Sequence, residues 1–161
     1  MRKLEAIERK ILSGQQLDQW LAVARFHRRK IVFTNGCFDI LHKGHVQYLA
    51  RASAMGDLLV VGLNTDESVK KIKGPARPYL DEGARALILA SLGFVDAVVL
   101  FNEDTPHNLI KQVVPDVLVK GGDYKPQEIV GYDVVTQHGG KVVTVDLTEG
   151  YSSSGILGKI T

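Results

Sequence analysis

Ile31-Val32-Phe33-Thr34-Asn35-Gly36-Cys37-Phe38-Asp39-Ile40-Leu41-His42-Lys43-Gly44-His45 is the stretch on which the reading of the fold turns. Ile31, Val32 and Phe33 are an apolar, β-favouring run of the kind that forms a buried strand, and Thr34, Asn35 and Gly36 supply turn residues after it. Beyond Asp39, residues 44–55 place Val46, Leu49, Ala50 and Ser53 at i, i+3, i+4 and i+7, which predicts a helix with one apolar-to-small face. The stretch therefore reads strand, loop, helix. His42 and His45 stand where the helix begins and on one side of it, with Gly44 between them. Unpartnered amides and the positive end of the macrodipole collect at a helix start, so a phosphate is the natural guest. Two imidazoles beside it can donate hydrogen bonds as charge develops on a phosphoryl oxygen, which is what phosphoryl or nucleotidyl transfer requires. Spacing alone leaves two other readings open. The pair could share a metal, although no Glu follows His42 as in His-Glu-x-x-His and Cys37 is the only cysteine. It could also be two surface histidines at an ordinary helix start.

Working outward, residues 58–63 form a second apolar run after the Gly56-Asp57 break, completing a βαβ unit whose crossover should be right-handed and whose sheet should be parallel. Thr65 or Asn64 can cap a short helix through Lys71. Residues 70–78 then read as an irregular loop with Lys70, Lys71, Lys73 and Arg77 in it, either a solvated basic loop or a flexible lid over a polyphosphate. Ala84, Leu87, Ile88, Ser91 and Leu92 predict an amphipathic helix with Arg85 near its start, and residues 97–101 the next strand. Thr105-Pro106 reads as a cap followed by proline in the first turn of a helix carrying Leu109, Ile110, Val113 and Val114. Val117, Leu118 and Val119 predict a fourth strand, ending in Lys120-Gly121-Gly122-Asp123-Tyr124, where the glycines allow close backbone approach to a ligand or a plain turn. A helix over 131–138 and a last strand over 142–145 follow. Near the end, Tyr151-Ser152-Ser153-Ser154 puts hydroxyls at the start of a terminal helix, a second anion site or a simple cap. The pattern is α/β: a Rossmann-like open parallel sheet of about five strands with helices on both faces.

Residues 1–30 read as a helical arm ahead of a domain spanning 31–161. Leu4, Ile7 and Ile11 recur at helical spacing, then Leu17, Trp20, Leu21 and Ala24 after Ser13-Gly14. The arm could pack on its own sheet or on a partner, and a homo-oligomer is expected with the arm as one route of contact. The cations at 25–30 read as a solvated helix end. In the 161 residues, 45% hydrophobic and 24% charged composition suits a soluble globular domain. A formal charge of +2 argues against nucleic acid or a membrane surface as partner. One cysteine, no apolar run of about 18 residues and no signal-like N-terminus point to the cytoplasm. No P-loop and no Gly-x-Gly-x-x-Gly pattern is present.

The motif, with Thr34-Asn35-Gly36-Cys37-Phe38-Asp39-Ile40-Leu41-His42 leading into it, resembles the nucleotidyltransferase superfamily marked by His-x-Gly-His, and within it the bacterial heptose 1-phosphate adenylyltransferase branch. Further matching stretches are residues 63–66, Lys73-Gly74, Arg77-Pro78, residues 103–106, residues 120–125 and Ser152-Ser153-Ser154 with Ile156. The resemblance implies that ATP is bound with Mg2+ and that its AMP passes to D-glycero-β-D-manno-heptose 1-phosphate. It implies catalytic roles for His42, His45, Lys73 and Arg85. It implies a nucleotide site built from Thr34, Asn35, Gly36, Cys37, Phe38, Asp39, His42, His45, Lys120, Gly121, Asp123, Tyr151, Ser152, Ser153 and Ser154. Asn64, Lys73, Arg77, Asp123 and Tyr124 would take the sugar phosphate, and no resident metal is implied. Two departures stand out. Leu147 replaces the arginine that related cytidylyltransferases carry before Thr-Glu-Gly, which points to the adenylyl branch. Gly83 stands where the family often has Glu two residues before the arginine matched by Arg85, with Glu82 adjacent. Relatives in the branch are often fused to a sugar kinase, and this chain resembles the standalone form. The alternatives are a cytidylyltransferase acting on a polyol phosphate such as glycerol 3-phosphate, and a non-catalytic nucleotide sensor.

Overall fold

The computed structural model describes residues 2–161. Strands β1 (Ile31–Gly36), β2 (Leu58–Asn64), β3 (Ala97–Phe101), β4 (Val117–Gly121) and β5 (Lys141–Val145) form one sheet, every pairing in it parallel, in the order β3-β2-β1-β4-β5. Strand order reverses at β1, so a crevice opens between the carboxyl ends of β1 and β4, the place where sheets of this kind bind ligands. Alternation along β1 sends Ile31 and Phe33 into one core layer and Val32 into the other, which is why the strand is apolar throughout.

Each layer is closed by helices. One face is covered by α2 (Gly14–Phe26), α6 (His107–Val113) and α7 (Tyr132–Gln137) through Leu17, Leu21, Ile110 and Val135. On the other face α3 (Lys43–Ser53) and α5 (Glu82–Ser91) bring in Leu49, Ala52, Leu89 and Ala90. The remaining helices are α1 (Arg2–Glu8), α4 (Asp66–Lys73) and α8 (Ser153–Ile160). Thr65 caps α4 by accepting from the Ser68 amide, and Ser152 caps α8 by accepting from the Gly155 amide.

The N-terminal arm packs on its own sheet. Leu17, Leu21 and Ala24 lie in the same core as Phe33 and Leu118. Ile11 is not in the first helix, as its spacing had suggested, but bridges Val98 in parallel; the Leu12 amide donates to the Val98 carbonyl at 2.9 Å and the Val98 amide to the Lys10 carbonyl at 2.8 Å. These residues cover the open side of β3, satisfying backbone groups that an edge strand leaves bare.

Four other local expectations need correction. Thr34, Asn35 and Gly36 continue β1, paired with Val61, Gly62 and Leu63, because ladder bonds to β2 outweigh their turn preference. Lys70 to Lys73 are not loop but the last turn of α4, where lysines complement the helix dipole. Pro106 is itself the N-cap of α6 and no side chain caps that helix. The buried side of α5 is Arg85, Ala86, Leu89 and Ala90, leaving Ile88 exposed, since the position of Arg85 in the core rotates the helix away from the stripe read along the sequence.

Candidate active site

His42 is the N-cap of α3: its Nδ1 accepts from the Gly44 amide at 3.1 Å. An accepting Nδ1 leaves the proton of the neutral ring on Nε2, so His42 keeps a donor while carrying no charge. The ring stacks on His45 with centroids 3.8 Å apart and planes 23° apart, and the Phe38 ring meets His45 edge-on at 5.2 Å. Gly44 lets the chain pass close to this pair, since a Cβ would stand 3.0 Å from the His42 ring and 3.1 Å from Tyr151 Cβ and both would have to shift. Phe38 reaches its place with φ of 44°, a left-handed conformation that costs a non-glycine residue about 1–3 kcal/mol and is held by the packing around it.

Both imidazoles are neutral at physiological pH. Burial lowers the pKa of His42, and burial, the nearby His42 and the Lys73 ammonium push His45 down to about 4, with the Ile40 carbonyl pulling weakly the other way. Its Nδ1 is buried without a hydrogen bond of normal geometry. Lys120 is lowered by burial, which the nearby Cys37 opposes, and burial raises the Cys37 thiol against the pull of Lys73.

Two cavities open at this end of the sheet. One, of about 380 Å³, is lined by the His42/His45 pair, Lys73, the end of β1 with the loop after it (residues 35–39) and the start of α8 from Tyr151 to Ser154. The other, of about 350 Å³, runs across the ends of β2 and β3 over Asn64 and Phe101 to Tyr124 and Glu128. Asn35, Gly36, Cys37 and Lys120 line both, so the cavities adjoin along β1 and β4. A larger depression of about 620 Å³ around His107 and Asp133 lies away from His42 and His45 and adjoins the second cavity.

Most of the residues expected at the ligand are thus brought together, but not all. Thr34 is fully buried behind the first cavity, its hydroxyl 2.6 Å from the Tyr48 hydroxyl, which donates to the Val119 carbonyl. Asp39 lines the first cavity, yet its oxygens are taken by Arg77 Nε at 2.7 Å and by the amides of Tyr79 and Leu80. Burial alone would raise the Asp39 pKa; those two amides and the guanidinium outweigh it and hold the carboxylate below its usual range. Arg77 is therefore bound to the motif and lines neither cavity.

Arg85, expected to face phosphate, is 1% exposed. Its guanidinium donates to the carbonyls of Leu80, Cys37 and Asn64 and to Asp66 Oδ1, pinning the ends of β1 and β2 to the 77–81 loop. Glu82 accepts from the Asp66 amide at 2.8 Å, so the acidic group beside this arginine is engaged at the start of α4. Asp123 is exposed and lines neither cavity. Of the three serines, Ser152 caps α8, Ser153 donates to the Ile40 carbonyl at 3.3 Å, and Ser154 Oγ makes no hydrogen bond within the described residues. Leu147, noted from sequence for its difference from related cytidylyltransferases, lines the first cavity, and Asp104, within the matching stretch 103–106, lines the second; Tyr48 and Thr148 in the first and Glu128 in the second were not singled out from sequence. Tyr48 stands one turn beyond His45 on the same side of α3, the signal that would have found it.

No helix of the described residues is long and apolar enough to cross a membrane. The family model described as cytidylyltransferase-like matches residues 33–158. The bifunctional protein HldE of Campylobacter concisus is 55% identical over 153 residues, covering 95% of this chain and 31% of the relative. HldE of Pseudomonas fluorescens is 51% identical over 160 residues, covering 99% and 34%. The chain thus spans about a third of the length of these curated relatives. Among solved structures, the lipopolysaccharide core biosynthesis protein of Thermoplasma volcanium superposes with a TM-score of 0.61 at 29% identity, covering 77% of this chain and 99% of that one. The pantoate-beta-alanine ligase of Francisella tularensis shares the fold at a TM-score of 0.61 and 15% identity, over 89% and 68% of the two chains. With the family match running from within β1 into the last helix, the chain belongs to the cytidylyltransferase-like family of nucleotidyltransferases.

Proposed function

We propose that the chain transfers the adenylyl group of ATP to D-glycero-β-D-manno-heptose 1-phosphate in the cytoplasm, giving ADP-heptose and pyrophosphate for surface-glycan synthesis. The observation that carries this is the pair of adjoining cavities, one under the neutral histidines and the start of α8, the other able to hold a sugar-sized acceptor. The likeness to HldE proteins and to a lipopolysaccharide core biosynthesis protein supports the choice of acceptor. Leu147, which lines the first cavity where related cytidylyltransferases carry arginine, supports ATP over CTP.

The triphosphate lies along the starts of α3 and α8, with its α-phosphate where the cavities adjoin. An oxygen of the sugar phosphate attacks the α-phosphorus, the bond to the β-phosphate breaks, and pyrophosphate leaves. The nucleophile is already an anion at neutral pH and needs no general base, so the protein acts by positioning and by stabilising charge. His42 Nε2–H, Lys73 and Lys120 are the donors nearest in kind to that task. Mg2+ comes with the nucleotide, bound by phosphate oxygens as is usual for this ion. No group of three or more His, Cys, Asp and Glu among the described residues converges to hold a metal. Arg85 acts as a positioning residue, holding the Cys37 carbonyl where the cavities adjoin and the Asn64 carbonyl beside the second cavity.

The test is pyrophosphate release from ATP with the β-heptose 1-phosphate and Mg2+, run beside CTP, the α-anomer and glycerol 3-phosphate. Release only with ATP and the β-sugar is expected, and His42→Ala should lower the rate roughly a hundred- to thousandfold. Turnover with CTP would overturn the nucleotide, turnover with glycerol 3-phosphate the acceptor, and silence with every pair the enzymatic reading.

A further inference from the structure

Asp39 lies in the loop before the histidine pair and is 1% exposed, yet everything its carboxylate holds belongs to a segment beyond α4. It accepts from Arg77 Nε at 2.7 Å, from the Tyr79 amide at 2.8 Å and from the Leu80 amide at 3.1 Å. The Arg77 guanidinium also lies over the Tyr79 ring, 4.9 Å from its centroid. Charge-assisted bonds of this kind, removed from water, fix geometry as well as contact.

What this clasp controls stands just before it in the chain. Lys73 ends α4 and lines the first cavity, close enough to His45 for its ammonium to oppose protonation of that ring. It makes no ion pair among the described residues. α4 is anchored at its start by the Thr65 cap and by the bond from Arg85 to Asp66, and its buried residues are Ser68 and Val69. The last turn, Lys70 to Lys73, is exposed throughout. Lys70 and Lys73 repel each other one turn apart, and the final turn of a helix is the one that frays. Gly74 then leaves the helix at a φ of 101°, with no atom within 4 Å of where a Cβ would stand, so it holds nothing in place. The next fixed point is Arg77, whose amide donates to the Gly74 carbonyl at 3.2 Å and whose side chain is bound to Asp39.

We propose that Asp39 and Arg77 are positioning residues: their clasp on segment 77–80 holds the end of α4 against the first cavity and the Lys73 ammonium at the phosphates of the bound nucleotide. Asp39 acts on the ligand only through Lys73. This rests on the reading of the first cavity as the nucleotide site. It also accounts for an acid in a loop that receives a polyphosphate, since the carboxylate charge is taken up by a guanidinium and two amides instead of facing phosphate.

The test follows Lys73 directly. The wild type, Asp39→Asn and Arg77→Gln are acetylated with and without saturating ATP and Mg2+, and modification of Lys73 is read by peptide mass spectrometry against exposed Lys111 as internal reference. Calorimetry sets the saturating ATP concentration for each protein, and thermal unfolding monitors the fold. ATP should slow acetylation of Lys73 about tenfold in the wild type, where phosphate keeps the amine protonated, and less than about twofold in either variant. In turnover, Arg77→Gln should lower kcat about a hundredfold, the effect of displacing a group at the reacting phosphate by an ångström, with KM for ATP within about threefold. In a Lys73→Ala background the same substitution should change kcat less than about twofold, whereas a merely structural loss would lower it by the same factor in both backgrounds. Where burial of Asp39 makes Asp39→Asn unstable, Arg77→Gln, whose side chain reaches solvent, carries the comparison alone. Full protection of Lys73 in the variants, no protection in the wild type, or an equal loss of kcat in the Lys73→Ala background overturns the proposal. If protection is lost as expected but no acceptor yields pyrophosphate, the proposed reaction falls and the clasp stands. If the wild type binds no ATP, both fall.

Discussion

Replacing His45 by Asn removes a ring that the fold keeps neutral, and the consequence should appear as a change in the pH dependence of stability. The imidazole titrates near 6.5 when unperturbed and at about 4 in the folded chain, for burial, His42 and Lys73 all oppose its protonation. Between those values the unfolded chain binds the additional proton, so acid favours unfolding; the contribution is fully present above the unfolded pKa and is lost as the pH falls toward the folded one. The full difference corresponds to roughly 3 kcal/mol, and partial solvent exposure of the ring reduces it to about 2. Urea unfolding followed by Trp20 fluorescence, from about pH 7.5 down to about pH 4.5, should show the wild type losing about 2 kcal/mol relative to His45→Asn across this window. Parallel stability curves would refute the argument, because they would mean that the folded chain accepts the proton as readily as the unfolded one. ATP supplies the compensating charge. Its binding near pH 5.5 should therefore be accompanied by proton uptake in the wild type and less in the variant, as read by calorimetry in buffers of different ionisation enthalpy.

Arg85→Met should destabilise by about 3–5 kcal/mol, since it strands buried carbonyls and the Asp66 partner, whereas a phosphate-facing arginine would chiefly raise KM for ATP; thermal unfolding beside KM separates the two. Gly44→Ala should weaken ATP binding about tenfold with little loss of stability, because the new methyl displaces the His42 ring and Tyr151 where phosphate is expected; calorimetry with ATP checks it. Thr34→Val should cost about 1–2 kcal/mol in urea unfolding and leave KM for ATP unchanged, because Tyr48 keeps its bond to the Val119 carbonyl and Thr34 lines neither cavity.

The parallel α/β order was legible along the chain because each strand is a short run of apolar residues covered on both faces, and each helix repeats its apolar side every three to four residues. The histidine pair, Gly44 between them and the serine cap of α8 were legible for the same reason: their geometry is set within one or two turns of local backbone. Helix boundaries at Lys73 and Pro106 were misplaced where composition favours loop but the neighbouring turn continues or caps the helix.

What the linear order withheld is everything that depends on residues far apart in it. Asp39 and Arg77 are both polar residues in loops and read equally well as ligand contacts; folding sets them 2.7 Å apart and engages both with each other. Arg85 near a helix start reads as an exposed cation, but packing of α5 against β2 and β3 carries it into the core, where charge must be satisfied internally and is no longer offered to a ligand. Asp104 and Glu128 are separated by a helix and a strand, and nothing local marks them as neighbours; the strand order brings the loop after β3 and the turn after β4 to one cavity. Local backbone preference and hydrophobic period are properties of short stretches and survive in the sequence, whereas burial and pairing belong to contacts across the sheet and arise when the chain closes on itself.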